Sequence, residues 1–232
     1  MLKDLRERVL IAGKKLREYD LIVMAGGTVS ARDPETGLIV ITPTGMEYDN
    51  LTWEDMCVID INMNQVGGWR KPSVCCDMFT EIYKARPDIN GITHSHSRYA
   101  TAFSCCNMQI PVITTTQGNL VGGPINCTHW IHPDPHEPKY LQDIVDTIGD
   151  GWGCNLRNHG PIVCGRSIEE AIENIITVEV TAQTTFIARQ LGNPEYLTED
   201  ETRRAYNFCK SAVGQPKEKI IIGGNDNVIN KC

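Results

Sequence analysis

The sequence predicts an α/β fold in which helices cover both faces of one sheet, and three observations carry that reading. Leu2, Leu5, Val9, Ala12 and Leu16 recur at steps of three and four, the period of an amphipathic helix with one buried stripe. Leu38-Ile39-Val40-Ile41, Val58-Ile59-Asp60-Ile61 and Pro161-Ile162-Val163-Cys164 are short apolar runs, shorter than a helix needs and suited to strands. Ser167 and Glu170 form a capping box that opens a long helix to Leu191, which Gly192 ends. Helices and strands do not alternate regularly along the chain.

Between these landmarks the signals are local. Ala25-Gly26-Gly27-Thr28-Val29-Ser30 is a glycine turn, and Thr42-Pro43-Thr44-Gly45 stops the run that ends at Ile41. Gly67-Gly68 reads as a hairpin-like break. Asp77 to Arg86 reads as a helix ended by Pro87, because the residue before a proline is pushed out of the helical region. Gly91 precedes a short strand, Ile92-Thr93-His94-Ser95-His96, and Ile110-Pro111-Val112-Ile113 suits an edge strand because its proline lacks an N–H. His129 to Pro138, rich in proline and histidine, reads as a loop, and Tyr140 to Ile148 as a helix. The last forty residues are polar and weakly patterned.

Composition narrows the function classes. At 232 residues the chain suits one domain with a modest tail. A net charge of −7 gives no support to nucleic-acid binding, which needs a basic face. No apolar run approaches the ~20 residues of a membrane span, and the charged first twenty residues do not read as a signal peptide. The ten cysteines include two adjacent pairs and no Cys-x-x-Cys spacing, so they read as free thiols of a reducing cytoplasm.

His94-Ser95-His96 is the sharpest chemical feature. On a strand, alternate residues share a face, so two imidazoles converge without unusual backbone. A zinc-type catalytic site takes three protein ligands and keeps a position for substrate. His159, before another apolar strand, is the candidate third ligand. The rival set is His129, His132 and His136, where Pro133 and Pro135 prevent a regular helix. Gly26-Gly27-Thr28, Thr44-Gly45 and Ser73 offer backbone N–H groups and hydroxyls suited to an anion.

Taken in order, Gly27-Thr28-Val29-Ser30, Ile41-Thr42-Pro43-Thr44-Gly45, Lys71-Pro72-Ser73, the run from Gly91 to Thr101, and Arg157-Asn158-His159-Gly160-Pro161 resemble the class II aldolase/adducin family. The resemblance covers roughly Leu2 to Gly192. It implies a three-layer α/β/α fold around a mainly antiparallel sheet, with residues 1–192 as the class II aldolase-like domain and 193–232 as a C-terminal tail or lid packed on it. It also implies a cyclic homotetramer and one divalent metal per subunit, zinc above others, on His94, His96 and His159. The family's phosphate-binding turns match Gly27, Thr28, Thr44, Gly45 and Ser73.

The expected activity is that of a metal-dependent lyase. It would cleave a C–C bond of a small hydroxylated ketone or sugar phosphate, an anionic substrate, through a metal-stabilised enediolate. An epimerase like ribulose-phosphate 4-epimerase and a non-catalytic adducin-like binding protein are the alternatives. A scaffold has no need of the full histidine set, which counts against the last.

Departures from the pattern matter as much as the matches. Where the family has a double serine followed by a carboxylate, this chain has Ser73-Val74-Cys75. Cys75 therefore holds the acid/base position, as a proton carrier or as a thiolate ligand. Asp77, two residues on, is the other candidate, although it also suits a helix start. Val74 brings no hydrogen-bond donor to the anion site. The turn Asn of the family is Thr28, and the positions of its interface tyrosine and aspartate fall near Thr115 and Asn119. The acid/base tyrosine of the epimerases is absent near Ala212-Val213-Gly214-Gln215.

Overall fold

A computed structural model of the chain describes residues 1–129 and 137–212. The helices are α1 (Lys3–Glu18), α2 (Cys76–Ala85), α3 (Arg98–Cys105), α4 (Thr115–Leu120), α5 (Pro138–Ile148), α6 (Ile168–Leu191) and α7 (Glu199–Ala212). The strands are β1 (Thr28–Arg32), β2 (Ile39–Ile41), β3 (Cys57–Ile59), β4 (Gln65–Gly67), β5 (Gly91–His94), β6 (Asn126–Cys127), β7 (Gly153–Leu156) and β8 (Gly160–Gly165). They form one sheet in the order β4-β3-β2-β1-β5-β8-β7-β6, antiparallel throughout except for the β6–β7 pair.

Side-chain alternation on β5 shows how the faces are covered. Thr93 donates its hydroxyl to the Ala171 carbonyl of α6, so α6 lies on the face of Gly91 and Thr93. Ile92 and His94 point the other way. On that face Ser30, paired with Ile92, bonds the Tyr83 hydroxyl of α2 at 2.8 Å. The result is helix, sheet and helix in three layers. Phe79, Ile82 and Tyr83 of α2 are fully buried, and burying each such side chain contributes about 1.5–3 kcal/mol. On α6, Ile168, Ile172, Ile175 and Val178 fill the other layer.

Several elements differ from their sequence expectations. β5 ends at His94, so His96 lies beyond the strand, in the connection to α3. The β3–β4 hairpin turns at Asp60 to Asn64, where the Asp60 carboxylate accepts the N–H groups of Asn62 and Asn64, and Gly67-Gly68 stands at the end of the second strand. Ile110 makes only an isolated bridge with Ile125 rather than starting a strand. Ser167 caps α6 as expected, but the Glu170 carboxylate accepts the Arg166 N–H. The polar C-terminal stretch contains α7, which packs on α4, and Tyr206 accepts the Trp152 indole N–H at 3.1 Å.

Candidate metal centre and its cavity

Two turns and three strands meet at one end of the sheet. The turn after Ile41 and the segment around Pro72 are zipped together: Thr44 N–H donates to the Lys71 carbonyl and Ser73 N–H to that of Thr42. Beside them, Gly27 opens β1 with φ of 87°. A Cβ there would sit 2.6 Å from Ile22 Cγ2 and 2.9 Å from the His94 carbonyl, so only glycine fits against β5. Tyr48, buried beneath, donates its hydroxyl to the Gly27 carbonyl at 3.3 Å.

The three histidines converge there. Nε2 of His96 lies 3.1 Å from Nε2 of His94 and 3.0 Å from Nε2 of His159, and their ligand atoms lie within 4.8 Å of one another. His94 comes from the end of β5. His159 comes from the β7–β8 turn, held by its N–H bond to the Leu156 carbonyl. Gly160 makes the approach possible, since a Cβ on it would meet the Ser95 carbonyl at 2.3 Å. A carbonyl can only accept, so the 3.0 Å contact of His94 Nδ1 with the Pro161 oxygen fixes the proton on Nδ1. That leaves the Nε2 lone pair facing the cluster, the tautomer a metal ligand needs.

Electrostatics agree with that donor set. Burial, reinforced by His159 and His96, holds His94 well below the usual histidine range. Desolvation lowers His96, and it lowers His159 to about 4 with help from His96. At neutral pH all three are uncharged donors, as coordination requires. The residues present therefore fit a divalent cation.

Every residue expected at the anion turns borders the same cavity. It has a volume of about 250 Å³ and is lined by Gly27, Thr28, Thr44, Gly45, Ser73, Val74 and Cys75 together with the three histidines. Thr28 and Ser73 share a hydroxyl–hydroxyl bond of 2.7 Å, and Thr28 donates to the Cys75 sulfur at 3.4 Å. Cys75 is the N-cap of α2 and is 7% exposed; burial raises its thiol, against the lowering by Thr28 and Ser73. It lines the cavity without belonging to the three-histidine ligand group. Asp77 is buried in the first turn of α2 and is not part of the cavity wall.

Two wall residues escaped the sequence reading. Tyr140, at the start of α5, and Met78 close the cavity. Tyr140 follows Pro138, a common helix-start signal, but nothing in its spacing points at the histidines. Of the rival set, His129 donates its N–H to Asp143 at 2.8 Å, with its ring Nδ1 2.8 Å from the same carboxylate, while His132 and His136 lie outside the described residues. The nine cysteines among the described residues are free thiols.

Comparison with known proteins places this chain in a family. An L-fuculose 1-phosphate aldolase superimposes with a TM-score of 0.84 at 28% identity, covering 89% of this chain and 96% of its own. YgbL, a putative aldolase/epimerase/decarboxylase, matches at a TM-score of 0.77 and 26% identity in the Escherichia coli protein, over 88% of this chain and 98% of its own. The Klebsiella pneumoniae protein of that name gives 0.76 and 28%, over 88% and 99%. The sequence profile of the class II aldolase and adducin N-terminal domain matches residues 7–186, and the chain belongs to that family.

Proposed function

We propose that the protein is a metal-dependent lyase that cleaves a C–C bond in a small hydroxylated ketone, with a sugar phosphate as the leading substrate class. The observation that carries this reading is the set of three neutral, converging imidazole nitrogens at the floor of a cavity whose other wall is made of glycine turns and hydroxyls. His94, His96 and His159 would hold a divalent cation, with zinc as the leading candidate, which would supply Lewis-acid polarisation of a carbonyl and its neighbouring hydroxyl.

The chain's own groups do the rest. Gly27, Thr44 and Gly45 present backbone and Thr28 and Ser73 present hydroxyls to the substrate's distal anion. Cys75 faces the cavity as a neutral thiol, its sulfur already accepting the Thr28 hydroxyl, so it suits holding a proton near the substrate better than serving as a fourth ligand. Asp77 is set aside as proton carrier because it is absent from the cavity wall. Val180, Ile187 and Leu191, exposed along α6, support burial against further copies, and we extend the proposal to a homotetramer.

Metal analysis with product assays tests the reading. Purified protein should hold about one equivalent of zinc per chain and cleave ketose 1-phosphates. A His94→Ala/His96→Ala variant should keep its fold, lose the metal and lose turnover by on the order of a thousandfold or more. Full metal occupancy in that variant overturns the assignment.

A further inference from the structure

We propose that Glu179, in the middle of α6, is a positioning residue for the histidine cluster, acting by capping α3 from outside; its link to metal binding rests on the function proposed above. The first two N–H groups beyond the start of a helix need acceptors, and a serine at the N-cap normally supplies one. Ser97 is the N-cap of α3, yet its side chain makes no capping bond, and its buried hydroxyl has no hydrogen-bond partner. The Glu179 carboxylate takes its place. One oxygen accepts the Tyr99 N–H at 2.9 Å and the other the Ala100 N–H at 2.9 Å.

A serine cap is local to its own chain segment. A carboxylate reaching over from α6 also fixes where α3 sits. The position of α3 matters because it touches the segments that carry the other two histidines. His96 is two residues before its first turn. On the far side, Thr101 donates its hydroxyl to the His159 carbonyl at 3.4 Å, and the Asn158 N–H reaches the Ser104 carbonyl at 3.4 Å. Asn155 of β7 ties in as well, donating to the Ala100 carbonyl at 2.6 Å. His94 is held apart from α3, by β5 and the Pro161 carbonyl, while His159 has its turn bond to Leu156 besides its contacts with α3. Glu179 thus sets the reach of α3, and α3 sets the separation of His96 from His159. The negative charge at a helix N-terminus adds to the bond strength.

The test compares Glu179→Ala, Glu179→Gln and a control, Asn174→Ala, which removes a bond from α6 to the Cys164 carbonyl of β8 without touching α3. In metal-free protein, Glu179→Ala should lose amide-exchange protection at Tyr99 and Ala100 and also at Asn158, which a purely local cap does not reach. Zinc affinity, measured by chelator competition, should fall roughly 10–100-fold, as for other residues that orient metal ligands. Glu179→Gln, keeping one acceptor oxygen, should recover part of both. Asn174→Ala should lower the melting temperature while leaving zinc affinity and Asn158 protection intact. Unchanged Asn158 protection in Glu179→Ala, or a zinc affinity no weaker than that of the control, overturns the proposal. If the unaltered protein takes up no zinc, the metal reading fails by itself, and the exchange pattern at Asn158 still decides whether Glu179 positions α3.

Discussion

The two ends of β1 solve opposite problems. At its last residue the Arg32 guanidinium donates to the carbonyls of Tyr83, Arg86, Pro87 and Ile89 and to the Asn90 side chain, closing the turn after α2 from within. Nearby, Arg8 and Glu169 form a two-point ion pair at 2.8 and 2.7 Å. A cleft of about 540 Å³ lies at that end, but its cations are occupied. At the first residue of β1 the polar groups face inward on a cavity: Thr28, Ser73 and three imidazoles that have chiefly one another. Donors and acceptors answered by carbonyls and carboxylates serve stability, whereas the imidazole Nε2 atoms, which face one another across the cavity, would on the function proposed above take a ligand. Size of cleft does not separate the two ends; the state of the polar groups does.

That contrast can be broken by experiment. The largest effect should come from Arg32→Ala, which strands several carbonyls. It should cost about 3 kcal/mol, lowering the melting temperature by roughly 6–12 °C for a chain of this size, with zinc uptake unchanged. Loss of zinc uptake at full stability would erase the distinction between the ends.

Next comes acid sensitivity of the metal-free protein. Unfolded histidine titrates near 6.5, while folded His159 titrates at about 4 and His94 and His96 are also lowered. Between those values the unfolded chain binds more protons, so stability should be full above about pH 6.5 and decline as pH falls toward 4. Melting curves across that window should be shallower for His159→Ala, and identical slopes would contradict the burial of neutral imidazoles.

The smallest effect concerns the anion side. Val74 is 58% exposed on the cavity wall, and its side chain offers no donor. Val74→Ser should tighten inorganic phosphate binding by about 1.5 kcal/mol, roughly tenfold, read by calorimetry. No change would place the anion elsewhere.

How much of this was legible in the sequence depends on whether the signal is local. Periodicity and caps located α1, α2, α5 and α6, because a buried stripe and a terminal glycine or proline act within one segment. The histidine set was legible through its order among glycine turns. Strand alternation accounts for the set only in part, since His96 lies beyond the end of β5. The helix that follows it, α3, was hidden because its cap is Glu179, eighty residues away. Tyr140 was hidden for a similar reason: α5 delivers it across the layer. α7 was missed because Thr202 alone is buried in it, and it rests on α4 through small contacts that leave no apolar stripe.

The pairing of β5 with β8 has a consequence for how the chain acquires its ligand set. His94 and His96 are neighbours in sequence, but His159 joins them only when Thr93 aligns with Val163 and His94 with Ile162. A chain in which β5 has paired with β1 but not with β8 presents two imidazoles and no third. Closing the intervening loop is a slow, non-local step. On the function proposed above, metal capture with full affinity would report that the centre of the sheet has assembled, and bound metal would in turn favour that assembled state over every partly paired one.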